Sequence, residues 1–88
     1  MASRMKVNVL FFASLKEDLG VSEIELDVSM LAGRSELLSA LKNELGTECV
    51  APVLEENVSI AINRRIEKGD FALKDGDEIA FLPPITGG

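Results

Sequence analysis

Only one stretch of this chain has a helical period, and most of what surrounds it alternates. Leu37, Leu41 and Leu45 recur every four residues and Leu38 widens the stripe, which predicts an amphipathic helix over Arg34 to Leu45. Ser35 is its expected N-cap, Lys42 stands near its C-terminal end, and Gly46 supplies the stop. A lone helix with one apolar stripe must bury that stripe against another layer. The remaining segments supply the layer as strands.

Lys6 to Ala13 reads as a strand, with Val7, Val9 and Phe11 on one face and Asn8, Leu10 and Phe12 on the other. Lys16 to Gly20 is a polar break, a helical turn ended by glycine. Ser22 to Val28 alternates cleanly, Ile24, Leu26 and Val28 inward and Glu23, Glu25 and Asp27 outward, and pairs with the first strand. Thr47 to Asn57 reads as irregular, with Pro52 a breaker and a short turn at Val53-Leu54-Glu55. Val58 to Asn63 is a third strand with Val58, Ile60 and Ile62 inward. Asn63-Arg64-Arg65 turns the chain into a short strand around Ile66-Glu67. Lys74-Asp75-Gly76-Asp77 is a turn, and Glu78 to Leu82 is the last strand, with Ile79 and Phe81 inward. No repeat or low-complexity segment interrupts this order. The succession β-β-α-β-β-β predicts an α+β fold: a mixed sheet of about five strands with one main helix on one face. That order resembles the ubiquitin-like β-grasp.

Composition narrows the function. A chain of 88 residues makes one domain, and 47% apolar content is ample for its core. Net charge −6 argues against nucleic acid, whose phosphates need clustered Lys and Arg. No apolar run approaches a membrane span, and no signal peptide is visible. Cys49 is the one cysteine, which excludes an internal disulfide and fits a reducing cytoplasm. The sequence holds no histidine, the commonest general base and metal ligand, and its carboxylates show no ligand spacing. Neither a metal site nor self-contained catalysis is expected. Cys49 has no histidine to activate it and stands among the acids Glu44 and Glu48, so it reads as filler.

Domain organisation is expected as a folded unit over residues 5–82 and an extended tail over 83–88, with Met1 to Arg4 set apart as an extension. The tail reads Pro83-Pro84-Ile85-Thr86-Gly87-Gly88. The prolines fix φ and favour an extended exit, while the two glycines leave the terminal carbonyl uncrowded. Six extended residues reach about 20 Å. Such an arm can deliver a carboxyl group into another protein's pocket.

The sheet face opposite the helix should carry Leu10 and Phe12 from the first strand, and Ala80 and Leu82 from the last, with Ile66 joining from the hairpin. A one-layer sheet leaves that face in water. Large apolar residues converging on the strand from which the tail departs read as a partner-docking patch.

Taken together, Val9-Leu10-Phe11-Phe12-Ala13, Leu73-Lys74-Asp75-Gly76-Asp77-Glu78-Ile79-Ala80-Phe81 and Pro83-Pro84-Ile85-Thr86-Gly87-Gly88 resemble the small-subunit family of molybdopterin synthase, over essentially the whole chain from Met5. The resemblance implies a sulfur carrier of molybdenum cofactor biosynthesis. An E1-like adenylating enzyme would use ATP to activate Gly88, and a sulfur donor protein would convert it to a thiocarboxylate. The large subunit, in a heterotetramer of two small and two large subunits, would take the tail. Sulfur would then pass to cyclic pyranopterin monophosphate to build the molybdopterin dithiolene. This chain would bind no cofactor itself and would serve as the sulfur-donating subunit of a sulfurtransferase. Carried over residue by residue, the reactive terminus falls on Gly88, the inserted tail on Pro83, Pro84, Ile85, Thr86 and Gly87, and the contact surface on Phe12, Leu10, Ile66 and Leu82. Arg64 and Arg65 depart from the expected hairpin and receive no role.

Two rivals share these residues. The thiamine-pathway sulfur carrier has the same fold and the same Gly-Gly end, although that family is usually shorter and lacks the Phe-Leu-Pro-Pro approach. A ubiquitin-like protein modifier, or a noncovalent adaptor, is the rival from another class, because acyl-adenylate chemistry also serves attachment to lysines.

Overall fold

The computed structural model describes residues 4–29, 33–55 and 57–83. Five strands form one mixed sheet: β1 (Arg4–Phe11), β2 (Glu23–Ser29), β3 (Ser59–Ile62), β4 (Arg65–Glu67) and β5 (Glu78–Leu82), in the order β2-β1-β5-β3-β4. β1 pairs antiparallel with β2 and parallel with β5, while β3 lies antiparallel between β5 and β4. Three helices connect them: α1 (Ser14–Leu19), α2 (Arg34–Leu45) and α3 (Thr47–Val50), the last running into a 3-10 turn over Ala51–Leu54. This is the mixed five-stranded β-grasp that the order of elements predicts.

The core lies between the sheet and α2. Alternation along β1 buries Met5, Val7, Val9 and Phe11, the odd residues of an otherwise polar strand, and β2 adds Leu26 and Val28. The leucine stripe of α2 meets them through Leu37 and Leu41, with Leu38 and Leu45 half-buried at its margins. β5 contributes Ile79 and Phe81, and the rings of Phe11 and Phe81 lie parallel within the core. At ~25 cal/mol per Å² of apolar surface, each fully buried leucine or phenylalanine stabilises by about 1.5–3 kcal/mol over its exposed state.

Several local expectations are corrected. α2 is capped by Gly33 rather than Ser35. Glu36 Oε1 accepts the Gly33 N–H at 2.7 Å, and Asp70 Oδ1 accepts the Arg34 N–H at 2.9 Å, so two donors at the helix start are met by carboxylates. Residues 47–54, expected as part of an irregular stretch, are helical. Pro52 lies in the first turn of the 3-10 segment, where a missing N–H costs nothing, so it starts a turn there rather than breaking one. Arg4, set apart with the first residues, belongs to β1: it pairs with Ser29, and its Nη2 donates to the Asp27 carbonyl at 2.9 Å. β1 stops at Phe11 because Ala13 takes φ 52°, a left-handed value that no strand sustains.

Candidate docking face and tail root

Two turns fix how β5 leads toward the tail. The β3–β4 hairpin closes through Asn63 and Arg64, both at positive φ (50° and 71°), the geometry of a two-residue type I′ turn. The Asn63 side chain locks the start of β5. Its Nδ2 donates to Asp77 Oδ1 at 2.9 Å, and its Oδ1 accepts the Glu78 N–H at 3.0 Å. Asp77, a buried carboxylate, also accepts the Lys74 N–H at 2.8 Å, so both its oxygens are engaged. Gly76, at φ 85°, donates its N–H to the Lys6 carbonyl, tying the same turn to β1.

On the face away from α2, the register lays Leu10, Ala80, Ala61 and Ile66 in one row across β1, β5, β3 and β4. Ile66 is 52% exposed and Leu10 half-buried, while Ala80 and Ala61 between them are only 8% and 4% exposed. One rung on, Phe11 pairs with Phe81; beyond it Phe12 and Leu82 follow side by side, Phe12 44% exposed and Leu82 half-buried. The structure thus brings together Phe12, Leu10, Ile66 and Leu82, the four residues expected to form the patch. It adds Ala61, which sequence reasoning passed over. Its signal was period two: with Ile60 and Ile62 inward, Ala61 had to face out. The patch ends on one side at the acidic β2, where Leu10 pairs with Glu23 and Asn8 with Glu25.

Pro83, the first residue of the expected tail, is half-buried and follows Leu82 directly. Pro84, Ile85, Thr86, Gly87 and Gly88 lie outside the described residues. Beside Pro83 runs a groove of about 460 Å³ that sequence reasoning did not foresee. Leu15, Pro52, Val58 and Pro83 supply apolar lining, and Asp18, Glu48 and Glu55 supply carboxylates. Cys49 is half-buried, with its Sγ 3.9 Å from the Leu19 carbonyl, in keeping with a packing role. Among the described residues no helix is long and apolar enough to cross a membrane.

Comparison with known proteins decides the family. Residues 9–88 match the ThiS family. The chain belongs to that family. It is similar to the molybdopterin synthase sulfur carrier subunit of Haemophilus influenzae, at 35% identity over 82 residues, which cover 93% of this chain and 99% of the relative. Among solved structures, SAMP1 from Haloferax volcanii superposes with a TM-score of 0.80 at 26% identity, covering 94% of this chain and 99% of that one. The complex of subunits 1 and 2 of molybdopterin-converting factor from Helicobacter pylori contains a chain that superposes with a TM-score of 0.70 at 32% identity. That match covers 96% of this chain and 100% of the other.

Proposed function

We propose that this ThiS-family chain is the sulfur carrier of molybdenum cofactor biosynthesis, the small subunit of molybdopterin synthase. The observation that carries the proposal is the relationship to molybdopterin synthase sulfur carrier subunits over nearly their whole length. The apolar row of Leu10 and Ile66, with Phe12 and Leu82 beside Pro83, is what a carrier needs to dock while its tail reaches elsewhere. The Helicobacter complex of subunits 1 and 2 supports a large subunit as the protein that covers this face.

The chemistry belongs to the tail. The Gly88 carboxylate attacks the α-phosphate of ATP on an E1-like enzyme and expels pyrophosphate, which gives an acyl-adenylate. The terminal sulfur of a donor-protein persulfide displaces AMP, a good leaving group, to give an acyl disulfide; a thiol then attacks the donor's sulfur, forming a disulfide there and releasing the thiocarboxylate. That sulfur is then the nucleophile toward cyclic pyranopterin monophosphate, in the sulfurtransferase reaction of the assembled complex. Glycines at 87 and 88 let a narrow channel close around backbone alone. General acids and bases come from the partners, in keeping with a chain that has no histidine.

The likeness to SAMP1 favours a second reading, a protein modifier joined to lysines, which starts from the same acyl-adenylate. Intact mass of the protein purified from a host with the sulfur pathway running separates the two. One oxygen exchanged for one sulfur at the terminus is the expected result. Lysine conjugates without that exchange would replace the carrier by the modifier.

A further inference from the structure

The groove beside Pro83 is built from four separate stretches of chain: α1, the α3 and 3-10 region, the segment before β3, and the end of β5. Leu15, Pro52, Val58 and Pro83 give it apolar walls, and Asp18, Glu48 and Glu55 give it carboxylates. No Lys or Arg lines it; Lys16, on the same helix as Asp18, is exposed and stands apart. Among the described residues the recorded ion pair is Lys6 with Glu25, on the sheet, so these three acids are uncompensated.

We propose that this groove receives a basic side chain, arginine or lysine, from the protein that takes the tail. The inference rests on the docking reading above and adds a second, charged contact to its apolar one. A long cationic side chain fits both halves of the groove, its methylene stem on proline and leucine and its head among the carboxylates. A metal ion fits less well. Among the described residues no three acidic or cysteine side chains gather closely enough to hold one, so the donors suit a broad organic cation. The chain's own tail is the other conceivable occupant, since it starts at Pro83. Its terminal carboxylate would enter a field of three like charges within a Debye length of about 8–10 Å, which opposes it. The same field that holds off the tail attracts a basic partner. It also places the charged contact at the root of the tail, where it registers the tail's direction of entry.

The test is the dissociation constant of the full chain for the large subunit, measured across a salt series. Combining Asp18→Asn, Glu48→Gln and Glu55→Gln should raise it about tenfold and flatten its salt dependence. A control shifts the net charge by the same three units away from the sheet, with Ser39→Lys, Asn43→Lys and Glu44→Gln at exposed positions of α2. It should change affinity by less than about twofold. Equal losses in the two triple variants would reduce the effect to net charge and overturn the groove. So would wild-type affinity in the groove variant, provided Phe12→Asp abolishes binding in the same assay. If Phe12→Asp itself binds normally, the docking reading falls as well, and the two failures are told apart. Deleting residues 84–88 should leave the amide shifts of Ser14, Asn57 and Val58 unchanged in the free protein. Shifts that move would give the groove to the tail instead.

Discussion

The rings of Phe11 and Phe81 stack with centroids 5.7 Å apart and planes 16° from parallel. The two residues are parallel register partners, so the stack fixes on the core side where β1 and β5 stand relative to each other. Their successors, Phe12 and Leu82, are thereby held next to each other outside the core. One core contact determines the geometry of the surface proposed to dock.

That relationship predicts how charge will act there. Phe12→Asp or Leu82→Asp should leave the domain folded, because neither residue belongs to the buried cluster. Either should abolish complex formation with the large subunit, since a carboxylate desolvated at an interface centre costs several kcal/mol. Circular dichroism and co-elution check the two halves. Normal co-elution of either variant, or unfolding of both, would place the docking face elsewhere.

The Asn63–Asp77 lock predicts a stability effect far from any partner. Asn63→Ala removes the donor to Asp77 Oδ1 and the acceptor for the Glu78 N–H, leaving a buried carboxylate half-served. The loss should be about 1–3 kcal/mol in denaturant unfolding. Arg64→Gly should go the other way. It relieves a left-handed strain of about 1–2 kcal/mol and returns about 0.5–1 kcal/mol through backbone entropy, for a gain of up to about 1.5 kcal/mol. A destabilised Arg64→Gly would show that the arginine side chain holds the hairpin.

How much of this was legible in the sequence depended on whether the cause was local. The phase of every strand was readable, because period two forces Ile60 and Ala61 to opposite faces whatever their size. The bounds of α2 were readable from its leucines and from Gly46. Its cap was not: Ser35 carries the local signal, but the acceptor for the Arg34 N–H is Asp70, 36 residues away. The helix α3 escaped notice because four residues have no period to detect. The groove beside Pro83 was invisible for a related reason, being assembled from segments that meet only in three dimensions.

Asp70 predicts a pH dependence. Its carboxyl is held below the ordinary value of 3.8, chiefly by the Arg34 backbone N–H, then by that of Phe71 and by the Arg34 charge. A lowered folded-state value means that the stabilisation is complete above pH 3.8 and drains away as pH falls below it toward the folded value. Asp70→Ala should therefore lower thermal stability at neutral pH and flatten its decline as pH falls below 3.8. An undiminished acid slope in the variant would assign that slope to other carboxylates. Gly33→Ala probes the same junction sterically: an added Cβ would lie 2.8 Å from the Phe71 carbonyl oxygen and 2.9 Å from Asp70 Oδ1. It should cost about 1–3 kcal/mol, the range for overpacking a closed site.

The tail predicts a separation of function from folding and docking. Deleting Gly88, or adding one residue after it, should eliminate sulfur transfer while leaving stability and complex formation nearly intact. Stability rests on the core of Met5, Val7, Val9, Phe11, Leu37, Leu41, Ile79 and Phe81, all upstream of the tail. The proposed docking residues Leu10, Phe12, Ile66 and Leu82 are also upstream. The chemistry rests on one carboxyl carbon reaching one point, and a misplacement of about 1 Å can cost about a hundredfold in rate. Removing a residue withdraws that carbon by about 3.5 Å, and adding one encloses it in a peptide bond. Gly87→Ala should be milder and still harmful, because a Cβ would enter the channel proposed to close around backbone alone. ATP–pyrophosphate exchange with the adenylating enzyme, followed by sulfur incorporation, measures each variant. A Gly88-deleted protein that still acquires sulfur and supports dithiolene formation would end the carrier reading, and a noncovalent adaptor would take its place.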